Sequence, residues 1–179
     1  FLDLYDIGKP ETQDYYFEWH SRFHLDDLLE LNPDHKVIKH IGVATQINVP
    51  PSGNVAYLVG PMIDFKVPGA IFFQTSWMIR ETPELDGIAF QNTTAFRWWF
   101  GKKLAYDNPN GALRRFYIGG FIDIKSSEGI ESAWVIFQPQ LLMHFNAISI
   151  GTELFVYTNK FGVEGKNETV PQIMVRWVL

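Results

Sequence analysis

Residues 15–25 run Tyr15-Tyr16-Phe17-Glu18-Trp19-His20-Ser21-Arg22-Phe23-His24-Leu25, with apolar and polar side chains at alternate positions. Side chains along a strand repeat every two residues, so one face is apolar and the other polar. The apolar face carries Phe17, Trp19, Phe23 and Leu25, and the polar face carries Glu18, His20, Arg22 and His24. This pattern predicts a half-buried antiparallel strand with a single register, because a slip of one residue would exchange the two faces.

Eight further runs have the character of strands, each bounded by Gly, Pro, Asn, Asp or Ser. They lie at about 41–49, 55–65, 70–80, 95–100, 116–124, 132–138, 153–161 and 171–179. In 71–79 and 173–179 the alternate apolar residues predict one face in a core. One short helix is predicted over Asp26–Leu31, with Asp26 as its cap and Pro33 ending it.

These runs, with long excursions at 26–40, 81–94 and 101–115, favour an all-β fold. The prediction is an antiparallel two-sheet sandwich, a jelly roll of about eight to nine strands with one short helix. A length of 179 residues suits a single domain over 1–179. Because the chain does not begin with Met, we expect a processed product or a portion of a longer protein, from which an N-terminal arm is absent.

Composition limits the classes of function. The chain has no Cys, so disulfides and thiolate sites are excluded. A net charge of -5 argues against binding nucleic acid over the whole surface. No run approaches about eighteen consecutive apolar residues, which predicts no membrane insertion.

No motif predicts catalysis, a cofactor or a metal. Gly-x-Ser-x-Gly elbows and phosphate-binding glycine patterns are absent from the sequence. His20 and His24 would lie about 13 Å apart on one strand, too far to share a metal ion. A metalloenzyme site built on Glu18, His20 and His144 is the last of the hypotheses.

Cations and aromatic residues are interleaved in two places, at Arg97–Lys103 and Arg114–Tyr117. Such stretches suit nucleic acid, because aromatic rings stack on bases and cations meet phosphates. The candidate contacts with nucleic acid or with other subunits are Arg97, Lys102, Lys103, Arg114 and Arg115. In the alternative interpretation Trp98 or Trp99 fills the core and the cations mark the solvent edge of the strand.

The order of elements resembles that of small single jelly-roll capsid proteins of icosahedral viruses, such as circovirus-like and satellite-virus coats. The resemblance lies in Tyr15–Leu25, the short turn Asp26–Leu31 with Pro33, and His35–Thr45, and at the other end in Gly151–Tyr157 and Pro171–Leu179. It implies a subunit that assembles with itself, and with any other capsid subunits, into a shell around a viral genome. It also implies localisation in the virion, assembly in the host cell and a basic N-terminal arm, whereas this chain starts at Phe1 with an acidic balance.

A second hypothesis is a ligand- or carbohydrate-binding β-barrel or sandwich module. It would use aromatic side chains as stacking surfaces, with Trp98, Trp99, Trp134 and Tyr117 as the candidates. A stable monomer would favour this hypothesis over the shell. Calcium between subunits, bound through carboxylates such as Asp26, Asp27 and Asp64, is left open by the sequence.

Overall fold

The structure, a computed structural model, describes residues 2–5, 14–49, 55–81, 89–100, 116–127, 132–145 and 148–177. Its strands are β1 (Leu2–Tyr5), β2 (Asp14–His24), β3 (Ile38–Val49), β4 (Ala56–Phe65), β5 (Ala70–Glu81), β6 (Ala89–Phe100), β7 (Phe116–Ser127), β8 (Trp134–Phe145), β9 (Ile148–Thr158) and β10 (Glu168–Trp177). A 3₁₀ helix spans Lys160–Gly162. Within these ranges no helix has the length and apolar character needed to cross a membrane.

The strands form one open antiparallel sheet in the order β1 to β10, each paired with its neighbours in the chain. The all-β prediction is confirmed, but the two-sheet jelly-roll sandwich is not. A jelly roll needs Greek-key pairings between strands distant in sequence, and every pairing among the described strands is a neighbour pairing. Strands longer than expected account for part of the difference: β3 begins at Ile38, within the predicted excursion 26–40, and β6 begins at Ala89, within 81–94. The third excursion, 101–115, lies outside the described residues.

Residues 26–30 form turns and not the predicted helix. The Leu31 amide donates to the carbonyl oxygen of Asp26 at 2.9 Å, and Glu30 has a positive φ of 50°. The Asp26 carboxylate is engaged by β3, where it accepts the Ile41 backbone N–H at 2.9 Å. It therefore anchors the turn to the sheet instead of capping a helix.

The sheet curls strongly around its own interior. Glu18 on β2 and Gln140 on β8 line the same cavity, although strands six apart would be roughly 29 Å from each other in a flat sheet. Glycine permits the close approach of neighbouring strands, because a Cβ on Gly60 would lie 1.9 Å from the Trp77 carbonyl oxygen. We call the enclosed side of the sheet the inner face and the other side the outer face.

The predicted alternation is confirmed, but the faces are the reverse of the expected ones. The apolar residues expected in a core point outward: Trp77 is 48% exposed and Ile173 84% exposed. The inner face instead buries many polar side chains, among them Gln46, Asn48, Gln74, Gln91, Asp123, Gln138, Gln140 and Glu153. Its apolar members form small clusters, one of Ala44, Ala56, Leu58, Met62 and Met78 and one of Tyr117, Leu142 and Met174.

Candidate ligand-binding site

A cavity of about 270 Å³ lies on the inner face, between side chains of β2, β3, β5, β6, β7 and β8. Six strands contribute to it because the sheet curls and because alternate residues of each strand point inward. Its walls combine carboxylates, guanidinium groups, amides and hydroxyls with a few aromatic rings. A concave site with a small number of fixed polar groups is the usual form of a small-molecule site.

Glu18 anchors an amide network at the β2 side of the cavity. One carboxylate oxygen accepts the Gln46 Nε2–H at 3.2 Å, and the other lies 3.1 Å from His20 Nε2. Gln46 Nε2 also donates to Asn48 Oδ1 at 2.7 Å. These bonds hold the Glu18 oxygens and the Gln46 amide in place, so the site does not have to order them when a ligand arrives.

Asp123 is the centre of the polar groups on β6 and β7. Its carboxylate accepts hydrogen bonds from Thr93 Oγ1 at 2.6 Å and Gln91 Nε2 at 3.1 Å. Lys125 Nζ lies 3.5 Å from the same carboxylate and 4.9 Å from the centre of the Trp134 ring. Both charged side chains are largely buried, so this ion pair is held by its hydrogen bonds and by the aromatic ring in addition to its charge.

Arginine and aromatic side chains stack beside the cavity. Arg97 Cζ lies 5.3 Å from the centre of the Phe72 ring and 4.8 Å from that of Tyr117. Arg22, from β2, lies 5.6 Å from the same Phe72 ring. The two guanidinium groups are thereby positioned against flat rings beside the cavity.

One acceptor in the cavity wall is buried without a partner. Gln74 is 6% exposed, and its Nε2 contacts the Met62 sulfur at 3.2 Å. Within the described ranges no donor reaches its Oε1. Burying such an oxygen without a hydrogen bond is unfavourable, so a donor from a bound molecule or from water would stabilise it.

The five predicted contact residues have different outcomes. Arg97 points to the inner face and lines the cavity, so the interpretation that places it at a solvent edge is wrong. Lys102, Lys103, Arg114 and Arg115 lie outside the described residues. Their contact with nucleic acid or other subunits therefore stays a prediction.

The candidate stacking aromatics are divided between the faces. Tyr117 and Trp134 belong to the inner face, under Arg97 and Lys125 respectively. Trp98 lies on the outer face, with its ring centre 6.2 Å from that of Phe73 and 5.5 Å from that of Phe96. The side chain of Trp99 lies outside the described residues.

A group that could hold a metal ion lies at the end of β2. His24, Asp26 and His40 offer ligand atoms within 4.8 Å of one another. The His24 and His40 rings stack with their centres 4.1 Å apart, and His40 Nδ1 lies 2.6 Å from Asp26. The Asp26 carboxylate is hydrogen-bonded to His40 and to the Ile41 N–H, which lowers its pKa from the ordinary 3.8.

The sequence hypothesis of a metal site on Glu18, His20 and His144 included none of this group. Glu18 and His20 are adjacent, as their spacing predicts, and the side chain of His144 lies outside the described residues. His40 joins His24 only because β2 pairs with β3, with His24 opposite Gly42. The cavity amides Gln46 and Gln140 were missed as well, although Gln46-Ile47-Asn48 and Gln138-Pro139-Gln140 show a polar face by their spacing.

Comparison with protein-family models, curated proteins and solved structures finds no match to this chain. The capsid resemblance therefore gains no support from a relative. The function of a shell subunit stays a prediction, and the inner-face cavity is the feature from which a function can be argued.

Proposed function

We propose that this protein binds a small polar solute in the inner-face cavity. The observation that carries the proposal is the unpartnered Gln74 Oε1, buried in the wall of a cavity whose carboxylates, Glu18 and Asp123, are held by hydrogen bonds. A cavity without a ligand role is most stable when apolar or when each polar group is paired. This one keeps an acceptor that a ligand hydroxyl or N–H would satisfy.

The wall chemistry favours an uncharged or zwitterionic, hydroxyl-rich ligand. The cavity wall holds two carboxylates, Glu18 and Asp123, and two guanidinium groups, Arg22 and Arg97, so charged groups of both signs face a ligand. The Phe72 ring adds an apolar surface among donors and acceptors. Carbohydrates have this combination of hydroxyl groups and apolar C–H faces, and a cavity of about 270 Å³ has the volume for one sugar ring.

Calorimetric titration of the purified protein with a panel of neutral monosaccharides, amino acids and sugar phosphates tests the proposal. We expect a neutral sugar to bind most tightly. Gln74→Leu keeps the shape of the side chain and removes the acceptor, and it should weaken binding about tenfold. The matched control is Thr152→Ala on the outer face, which should leave the affinity unchanged.

Two results would contradict the proposal. One is the absence of measurable binding by every member of the panel at millimolar concentration. The other is equal affinity in the wild type and in Gln74→Leu. Tighter binding of the sugar phosphates than of the neutral sugars would support a ligand site in the cavity but contradict the proposed class of ligand.

A shell subunit is the second candidate, and one feature favours it. The outer face exposes many large apolar residues, which copies of a self-assembling protein would bury against one another. Light scattering with size exclusion would then find a megadalton particle that absorbs as nucleic acid.

A further inference from the structure

The outer face forms one apolar surface across the described strands. Its exposed members include Trp19, Phe23, Tyr57, Val59, Trp77, Ile79, Phe90, Ile118, Ile124, Phe137, Leu141, Ile150, Leu154, Ile173 and Val175. Among the outward positions of β3 to β10 with described side chains, the charged residues are Lys39 and Glu81, each at or next to a strand end. The middle of the sheet is therefore uncharged on this face.

Several of the polar side chains on this face bond to one another or to the backbone. Asn92 Nδ2 donates to the Ser76 carbonyl oxygen at 3.0 Å, and Thr94 Oγ1 lies 3.2 Å from Thr75 Oγ1. Trp19 Nε1 likewise donates to Ser21 Oγ at 2.8 Å. Water would satisfy these groups without such pairing, whereas an apolar solvent requires it.

The convex shape of the outer face limits the kinds of partner that can cover it. The inner face is concave where the cavity lies, so the apolar side is the convex outside of the curled sheet from β2 round to β8, and the exposed apolar residues continue on β9 and β10. A second sheet or a protein partner covers one side of a molecule, but lipid can surround a convex surface. An apolar groove lined by Ile118, Leu141, Leu154 and Ile173 runs along β7 to β10 and suits an acyl chain.

We infer that the outer face contacts the acyl chains of a lipid bilayer, with the polar inner face shielded from lipid. Strands β3 to β10 have 10–12 residues, and tilted strands of this length cross a hydrocarbon core of about 30 Å. The sequence prediction of no membrane insertion considered only helical lengths of apolar residues. Backbone groups in lipid must be hydrogen-bonded, so the edge strands β1 and β10 have to pair there, with each other or with a second copy.

Flotation with vesicles tests this inference. The full chain is refolded from denaturant into phosphatidylcholine vesicles, which are then floated through a density gradient after a wash with high salt and alkali. Ile173→Arg places a charge at an 84% exposed position in the middle of β10. We expect it to reduce the floated fraction at least about tenfold, because charge on a lipid-facing strand opposes insertion.

The matched control is Val163→Arg. Val163 is also an exposed apolar residue, 50% accessible, but it follows the 3₁₀ helix in a connection outside the strands. It should float like the wild type. If the sheet faced water, the exposed Ile173 would tolerate Arg as well as Val163 does. A lower floated fraction for Ile173→Arg than for Val163→Arg therefore indicates that the sheet contacts lipid.

A measurement on the wild type avoids any variant that fails to fold. Trp19 and Trp77 are 56% and 48% exposed on the outer face. Phosphatidylcholine brominated on its acyl chains should quench about half or more of the tryptophan fluorescence in vesicles. A water-soluble quencher added outside should have a much smaller effect.

Three results would overturn the inference: a monodisperse protein in buffer that does not float, equal flotation of the two arginine variants with no bromine quenching, or a megadalton particle carrying nucleic acid. The inference does not rest on the proposed function, because ligand titration in detergent can succeed or fail whatever the flotation result.

Discussion

The inner and outer faces of the sheet divide the side chains in opposite ways. The inner face buries Gln91 at 1% exposure and Glu153 at 4%, whereas the outer face exposes Ile173 at 84%. In a sandwich that folds in water the apolar face is buried and the polar face is solvated. This contrast shows that alternation along a strand does not specify which of its two faces is buried. The curvature of the sheet determines which set of side chains is enclosed.

The largest expected effect concerns the buried ion pair of the inner face. Asp123→Asn removes the partner of Lys125 and should cost about 3–5 kcal/mol of unfolding free energy. The double variant Asp123→Asn with Lys125→Met should recover most of the loss, because no buried charge is then unpaired. Chemical unfolding followed by tryptophan fluorescence measures both. A small loss in the single variant would show that water reaches this part of the inner face.

The second prediction uses neighbours on opposite faces of β4. Leu58 is 2% exposed on the inner face, and Val59 is 52% exposed on the outer face. Leu58→Ala should cost about 2–5 kcal/mol through lost contacts and a cavity. Val59→Ala should cost under about 0.5 kcal/mol. If the two variants lost comparable free energy of unfolding, the outer face would be packed as tightly as the inner face. That result would contradict the contrast between the two faces.

The smallest effect concerns pH and the junction between the turn and β3. Hydrogen bonds from His40 and Ile41 lower the Asp26 pKa, so the folded state favours the carboxylate. Its contribution to stability is present above the ordinary pKa of 3.8 and is lost as the pH falls through the lowered value. Asp26→Asn should therefore flatten the fall in stability below about pH 4, whereas Asp27→Asn should not. Unfolding midpoints measured at pH 7 and 5, and at several pH values below 3.8, provide the measurement.

The sequence predicted the class of fold and nine of the strands, but their arrangement was only partly predictable. The alternation at 15–25 corresponds to β2, and the runs at 55–65 and 70–80 correspond to β4 and β5 within a residue or so. The two-sheet arrangement was inferred from uneven gaps, and parts of the gaps 26–40 and 81–94 proved to be strand, whereas 101–115 lies outside the described residues. For the site, Arg97 was singled out as a contact with nucleic acid or with other subunits, which stays a prediction, and its place in the cavity wall was not foreseen.

The remaining cavity residues could not be found without the pairing of strands. Glu18 and Gln140 are far apart in the chain, and both line one cavity because the sheet curls. The His24–Asp26–His40 group likewise depends on the register of β2 against β3. Such contacts depend on long-range geometry, which the local period of apolar residues does not contain.

The amino-acid order was enough to specify extended strands and two chemically distinct faces, because strand side chains alternate with a period of two whatever surrounds them. Tertiary structure decided which face is enclosed. Curvature depends on how ten strands twist and bend against one another, and on glycines such as Gly60 and Gly151 that let neighbouring backbones approach closely. The same alternating pattern suits an apolar interior in water or an apolar exterior in lipid, and only the direction of the bend distinguishes them.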